Sequence, residues 1–148
     1  TLMVGHPGEG EKEFRELTGF VEEARFERMG AFMYSREEGT YGALHLKDTV
    51  PQKVKRERYA RLMELQKGIS FAYNQSRVGN SCNVLADYLI SEDTNNRVTV
   101  LGRTQYEAPE VDGQIILENA PEVVPGTFVT ALITKADEYD LYARLIKE

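Results

Sequence analysis

Two apolar runs near the amino end, Leu2 to Val4 and Gly30 to Tyr34, each stop at a Gly-bearing loop. Between them, over roughly Glu11 to Glu27, the residues Phe14, Leu17, Val21 and Ala24 recur at spacings of three and four. That spacing gives one buried stripe of an amphipathic helix. The flanking runs are apolar without alternation, as in parallel strands covered on both faces. The pattern predicts a strand-helix-strand unit of a parallel sheet, and such sheets place ligands at the carboxyl ends of their strands. Both predicted ends are loops, at residues 5–10 and 35–50. In the first, three glycines allow a tight turn and close backbone approach. Glu9, Glu11 and Glu13 suit the positive end of the helix dipole.

A second helix is expected from Pro51 to about Asn74, capped by Asp48 or Thr49, with the proline in its first turn. Leu62, Leu65, Ile69 and Ala72 or Tyr73 form its apolar side. Lys53, Lys55, Arg56, Arg58, Arg61 and Lys67 are assigned to a basic, solvated outer face. After Gly79 the period changes from helical to two. Five strands are expected, at Cys82–Ala86, Arg97–Arg103, Gln114–Leu117, Thr127–Thr134 and Tyr139–Ile146, with turns at residues 93–96, Asp112-Gly113 and Pro125-Gly126. So many short strands in some seventy residues predict a small antiparallel barrel, in which closure hides the edges. The fold class is therefore α/β followed by all-β, with residues 1–77 and 78–148 as domains and the boundary near Arg77 to Asn80.

Composition narrows the function. The 148 residues are 41% hydrophobic and 28% charged, enough for one modest core or two small ones. No apolar run approaches the ~20 residues of a membrane helix, and no signal peptide is visible, so a cytoplasmic protein is expected. The formal net charge of −6 is unevenly spread. Residues 1–75 carry 12 Lys and Arg against 12 Asp and Glu, whereas residues 76–148 carry 6 against 12. An acidic module repels nucleic acid and attracts a basic protein. The single cysteine, Cys82, with His6 and His45 as the two histidines, is too few for a metal cluster or a closed zinc site. Cys82 is expected to be a small buried strand residue rather than a nucleophile, and Tyr139 and Tyr142 packing residues.

Four phrases in order carry a resemblance: Thr1 to Glu9; Phe32 to Thr40; Lys55 to Gln66; and Gly102-Arg103-Thr104 followed by Ala108-Pro109-Glu110-Val111-Asp112-Gly113. Together they resemble the radical S-adenosylmethionine methylthiotransferases, and the last phrase resembles the branch that modifies a ribosomal protein. The resemblance implies a partial (β/α) radical barrel followed by a TRAM domain, an oligonucleotide-fold-like barrel. It implies addition of a methylthio group to the β-carbon of an aspartate in ribosomal protein S-twelve. S-adenosylmethionine and two four-iron four-sulfur clusters would be the cofactors. The cluster cysteines are not in this sequence, so the chain is expected to be the carboxyl-terminal part of a longer enzyme and inactive alone. The alternatives are the tRNA-modifying relative, disfavoured by the acidic second half, and a free-standing TRAM-type binding module.

The resemblance also implies site residues. Gly5, Pro7, Gly8 and Glu9 in the first loop, with Ser35 and Arg36 in the second, would line the S-adenosylmethionine pocket. The barrel residues Arg103, Tyr106, Glu107, Glu110 and Asp112 would meet the cationic protein substrate. No catalytic residue and no metal ligand is assigned. His6 stands where the family has Phe, and Gly10 where it has Thr. At Gly10 the helix keeps a tolerable cap, while apolar packing at residue 6 is lost.

Overall fold

The structure is a computed structural model that describes residues 1–92 and 98–146. Among these residues the chain divides into two compact units, Thr1–Ile69 and Ser70–Glu148. The division falls inside a helix, ahead of the boundary expected from sequence. The turn expected at residues 93–96, together with Arg97, lies outside the described residues. No helix among the described residues is long and apolar enough to cross a membrane.

The first unit starts with strand β1 (Leu2–Val4), helix α1 (Glu11–Ala24) and strand β2 (Ala31–Met33). β1 and β2 pair in parallel, Leu2 opposite Ala31 and Val4 opposite Met33, as the uninterrupted apolar runs predict. Helix α1 ends with the last residue of its apolar stripe, Ala24, short of the expected Glu27. Arg25 enters the left-handed region at φ 46° and donates its amide to Val21 O, closing the helix after Ala24. The 35–50 loop contains a short helix, α2 (Tyr41–His45), begun by Thr40, whose hydroxyl accepts the Ala43 amide.

Helix α3 (Gln52–Arg77) follows. Pro51 lies just before it and supplies the carbonyl for the Lys55 amide. Neither Asp48 nor Thr49 adjoins the helix start at Gln52, and the Asp48 carboxylate instead receives Lys55 Nζ at 2.6 Å. Val4, Phe14, Val21, Leu62 and Ile69 form the core of this unit. The buried face of α3 runs through residues 55, 58, 62, 66 and 69, a helical stripe that includes two cations. Lys55 and Arg58 are therefore not on the outer face assigned to them, being 2% and 7% exposed.

The second unit is a closed barrel in the order β3-β4-β5-β7-β6. Its strands are β3 (Ser81–Glu92), β4 (Val98–Arg103), β5 (Ile115–Leu117), β6 (Phe128–Ala136) and β7 (Leu141–Leu145). The expectation of a wholly antiparallel barrel is corrected at one seam, where β5 and β7 run parallel. The reason is geometric: five strands in a ring cannot alternate direction at every neighbour, so one pair must be parallel.

β3 is longer than expected and serves both sides of the ring. Ser81 to Leu85 pair with β6, and Leu85 to Glu92 pair with β4. Register shifts at Ala86/Tyr88 and Leu89/Ser91 bend it between these partners. Alternate residues face inward and build a core of small and branched side chains: Val84, Ala86, Val100, Ile115, Leu117, Ala131, Ile133, Leu141 and Ala143. Ala120 and Val123, from the segment between β5 and β6, complete it.

Candidate functional site

In the first unit the two strand-end loops are both held by α3. Gly5 has φ 74°, and a Cβ there would run into the aliphatic stem of Lys55. Only glycine suits both requirements. Glu9 turns inward: its Oε1 accepts the Gly5 amide at 2.9 Å and Arg58 Nη1 at 2.7 Å. Arg58 Nη1 also donates to Glu9 O at 2.9 Å. The guanidinium lies over the Phe14 ring, 5.5 Å from its centroid. Gly10 caps α1, and Glu13 reaches back to its amide at 2.9 Å; the Glu13 backbone amide first, and the Gly10 amide after it, lower the Glu13 pKa.

The second loop is built in the same manner. Lys55 Nζ donates to Tyr34 O at 3.2 Å as well as to Asp48, and sits 4.9 Å from the Tyr34 ring centroid. The Lys55 hydrogen bond is the main reason that the Asp48 pKa falls. His6 meets the Tyr34 ring edge-on at 5.2 Å. Ser35 and Arg36 are exposed. Arg36 Nη2 donates to Ala43 O at 2.6 Å, so it braces the loop from within. Arg36, Glu38, Gly39, Ala43 and Leu44 line a depression of about 250 Å³. That is less than the ~300–1,000 Å³ of a usual ligand site.

These loops fit a nucleoside ligand in one respect. Gly8 has φ 91° and nothing within 4 Å of where a Cβ would stand, leaving its backbone open to close approach. Pro7 is half-buried beside it. The chain does not fit an iron-sulfur cluster: it has one cysteine, and among the described residues no group of three or more His, Cys, Asp or Glu could hold a metal ion.

In the second unit the segment 104–112 between β4 and β5 is organised by a buried ion pair. Arg77 Nη1 donates to Glu107 Oε1 at 2.5 Å, and Arg77 Nη2 to Thr104 Oγ1 at 3.3 Å. Glu107 Oε2 accepts the Thr104 amide and hydroxyl. Arg77 also lies over the Tyr73 and Tyr106 rings, at 5.7 and 5.6 Å. Burial pushes the Glu107 pKa up, but the Thr104 hydroxyl, Arg77 and the Thr104 amide outweigh it and hold the carboxyl below its ordinary range.

Of the residues expected to face a protein substrate, Glu107 is thus turned into the fold. Arg77 and the Thr104 hydrogen bonds offset the cost of desolvation, which is how a carboxylate on a loop comes to be 5% exposed. Asp112 accepts the Ala108 amide at 2.8 Å. Arg103 pairs with Asp87 at 3.3 Å and is partly covered. The exposed surface of the segment includes Tyr106, 59% exposed, Val111, 81% exposed, and Glu110 at φ 61°. Tyr139 is 63% exposed, against its expected packing role. Tyr142 is half-buried, with Lys135 Nζ 4.8 Å from its ring centroid.

The residues missed in the sequence are Lys55, Arg58 and Arg77. Lys55 and Arg58 lie on the buried stripe of α3, which spacing from Leu62 and Ile69 would have disclosed had charge not been taken as a mark of the surface, whereas Arg77 is buried within the second unit. Cys82 is half-buried in β3, and burial raises its thiol pKa. Alkylation by iodoacetamide at pH 8 is expected to be several-fold slower in the folded chain than in urea, measured by mass spectrometry. Equal rates would show the thiol to be open.

Comparison with known proteins adds to this geometry. Residues 78–146 match the family model of the TRAM domain. Over 99% of its length the chain is 47% identical to the ribosomal protein uS12 methylthiotransferase RimO of Parabacteroides distasonis, covering 32% of that protein. It is 42% identical over 100% of its length to the protein of the same name from Bacteroides thetaiotaomicron, covering 33% of it. It is 44% identical over 99% of its length to that of Porphyromonas gingivalis, again covering 33%. The chain spans about a third of the length of the curated relatives it matches.

Proposed function

We propose that this chain, whose similarity to the uS12 methylthiotransferases runs through its entire length, is the carboxyl-terminal portion of such an enzyme. In that reading a longer cytoplasmic protein adds a methylthio group to the β-carbon of an aspartate in ribosomal protein uS12. The observation that carries the proposal is the unbroken similarity across both structural units, at 41–47% identity. A stand-alone TRAM module would match only over its barrel.

The two units take different tasks. The strand-end loops, with the open backbone of Gly8, with Pro7 and with exposed Ser35 and Arg36, would form one wall of an S-adenosylmethionine pocket. Gly5 and Glu9 shape that wall from behind. S-adenosylmethionine, when bound, supplies the radical and methyl chemistry of this enzyme class. The residues of this chain bind and orient, and holding reactants in place is itself a large share of catalysis. The iron-sulfur ligands would lie elsewhere in the longer protein.

In the barrel, Tyr106, Glu110 and Val111 would meet uS12 on a segment kept in shape by Arg77 and Glu107. The acidic balance of residues 76–148, 6 cations against 12 carboxylates, suits a basic protein and opposes RNA. The test is to assay the longer, cluster-reconstituted protein on recombinant uS12 and on tRNA, with products read by mass spectrometry. The expected result is a methylthio increment on one uS12 aspartate and none on tRNA. Y106A should raise the KM for uS12 about tenfold, a loss of ~1.4 kcal/mol of binding, while leaving the KM for S-adenosylmethionine unchanged. Modification of tRNA instead would transfer the chain to the RNA-modifying class.

A further inference from the structure

Lys55 and Arg58 are three residues apart on the buried face of α3, and they repeat one arrangement. Each donates to a main-chain carbonyl in a strand-end loop and to a carboxylate near it: Lys55 to Tyr34 O and Asp48, Arg58 to Glu9 O and the Glu9 side chain. The aliphatic stem of Lys55 also occupies the space beside Gly5 that any side chain there would need. One turn of one helix thereby touches both loops.

Packing alone does not account for two buried cations. Apolar side chains of similar volume would cover the same surface without the desolvation penalty of a charge. What they could not supply is directional hydrogen bonds to the Tyr34 and Glu9 carbonyls, nor the charge that draws the Glu9 carboxylate inward onto the Gly5 amide. These bonds dictate where the backbone of each loop runs.

We propose that Lys55 and Arg58 are positioning residues, which from one helix face hold loops 5–10 and 35–50 in the shape that receives S-adenosylmethionine. The inference rests on the enzyme reading above. Neither side chain has to touch the cofactor, since both act through the loop backbone.

The test uses the longer enzyme that carries this chain, with variants R58M, R58K and K55M, and L62A as a packing control in the same core. Titration calorimetry with S-adenosylmethionine gives affinity, and hydrogen exchange gives the mobility of the Gly5 and Gly8 amides. R58M and K55M are expected to weaken binding about 10–100-fold, the range found when a partner that orients a ligating group is removed, and to speed exchange at these amides. R58K, which keeps the charge but lacks the fork, should recover part of both. L62A should lower the melting temperature and leave affinity near that of the unaltered enzyme.

Unchanged affinity in folded R58M, or an equal loss in L62A, overturns the proposal. Failure of the unaltered enzyme to bind S-adenosylmethionine would instead sink the enzyme reading. Loop exchange in R58M against L62A then still decides whether the arginine holds the loop, and equal exchange overturns the positioning role.

Discussion

R77M is expected to destabilise the barrel unit by about 3–5 kcal/mol, the usual cost of removing one member of a buried ion pair. Glu107 would keep its Thr104 hydrogen bonds but lose the charge that compensates its burial. Arg77 also leaves its place over the Tyr73 and Tyr106 rings. Urea denaturation followed by circular dichroism measures the loss, and a shift below about 1 kcal/mol would mean that water reaches the pair as at a surface. The double variant R77M/E107L should regain much of the stability, because no stranded charge remains.

The same pair dictates a pH dependence. The folded pKa of Glu107 lies below its unfolded value, near 4.3 for a free glutamate. Its contribution is therefore complete above about pH 5, where the carboxylate is ionised in both states. It is lost as pH falls through the folded value, because the unfolded chain takes up the proton first. E107Q, which cannot titrate, should show a shallower fall in stability over that acidic window.

G113A is expected to cost about 3 kcal/mol or more, at the upper end of overpacking. Gly113 does not need its glycine for φ. It needs it for space, since a Cβ would meet the carbonyl oxygen and carbon of Tyr139, which are main-chain atoms and cannot rotate away. The contact stands just ahead of the parallel seam, where the Gln114 amide donates to Asp140 at 2.8 Å and the Leu141 amide to Gln114 O at 2.9 Å. Thermal denaturation of the variant should show a lower midpoint than G126A, although Gly126 has φ 89° and pays for a side chain in backbone strain. No atom lies within 4 Å of a Cβ at Gly126. Equal midpoints would mean that the backbone at Tyr139 gives way.

Much of this architecture was legible from the sequence. The strand-helix-strand unit followed from apolar runs that do not alternate and from the stripe of Phe14, Leu17 and Val21. The barrel followed from strict alternation in segments such as Val98 to Arg103, whose burial alternates as expected. The length of β3 was not legible, because its register shifts break the alternation at Tyr88, Leu89 and Ile90. That a closed ring of five strands needs a parallel pair follows from their number, but which pair it is was hidden, since pairing partners leave no local pattern in the chain.

Site residues were legible by position more than by contact. The glycines and Glu9 lie at a strand end as expected, but that Glu9 points inward depends on Arg58, 49 positions away. Glu107 resembled any other loop carboxylate until Arg77 was placed beside it. A charged side chain in a helix advertises solvent, and only the tertiary arrangement shows which charges have been drawn inside.

Because β3 clasps both β4 and β6, one segment is at once the first stave of the hoop and the last. The ring is fastened when Val84 reaches Val129, so the intervening chain must be gathered before that bond row can form. The entropy of drawing together so long a span weighs against closure until the other seams exist. The β3–β4 and β6–β7 pairs join neighbours in the chain, whereas the fastening row joins segments far apart in it, the kind of contact that slows folding.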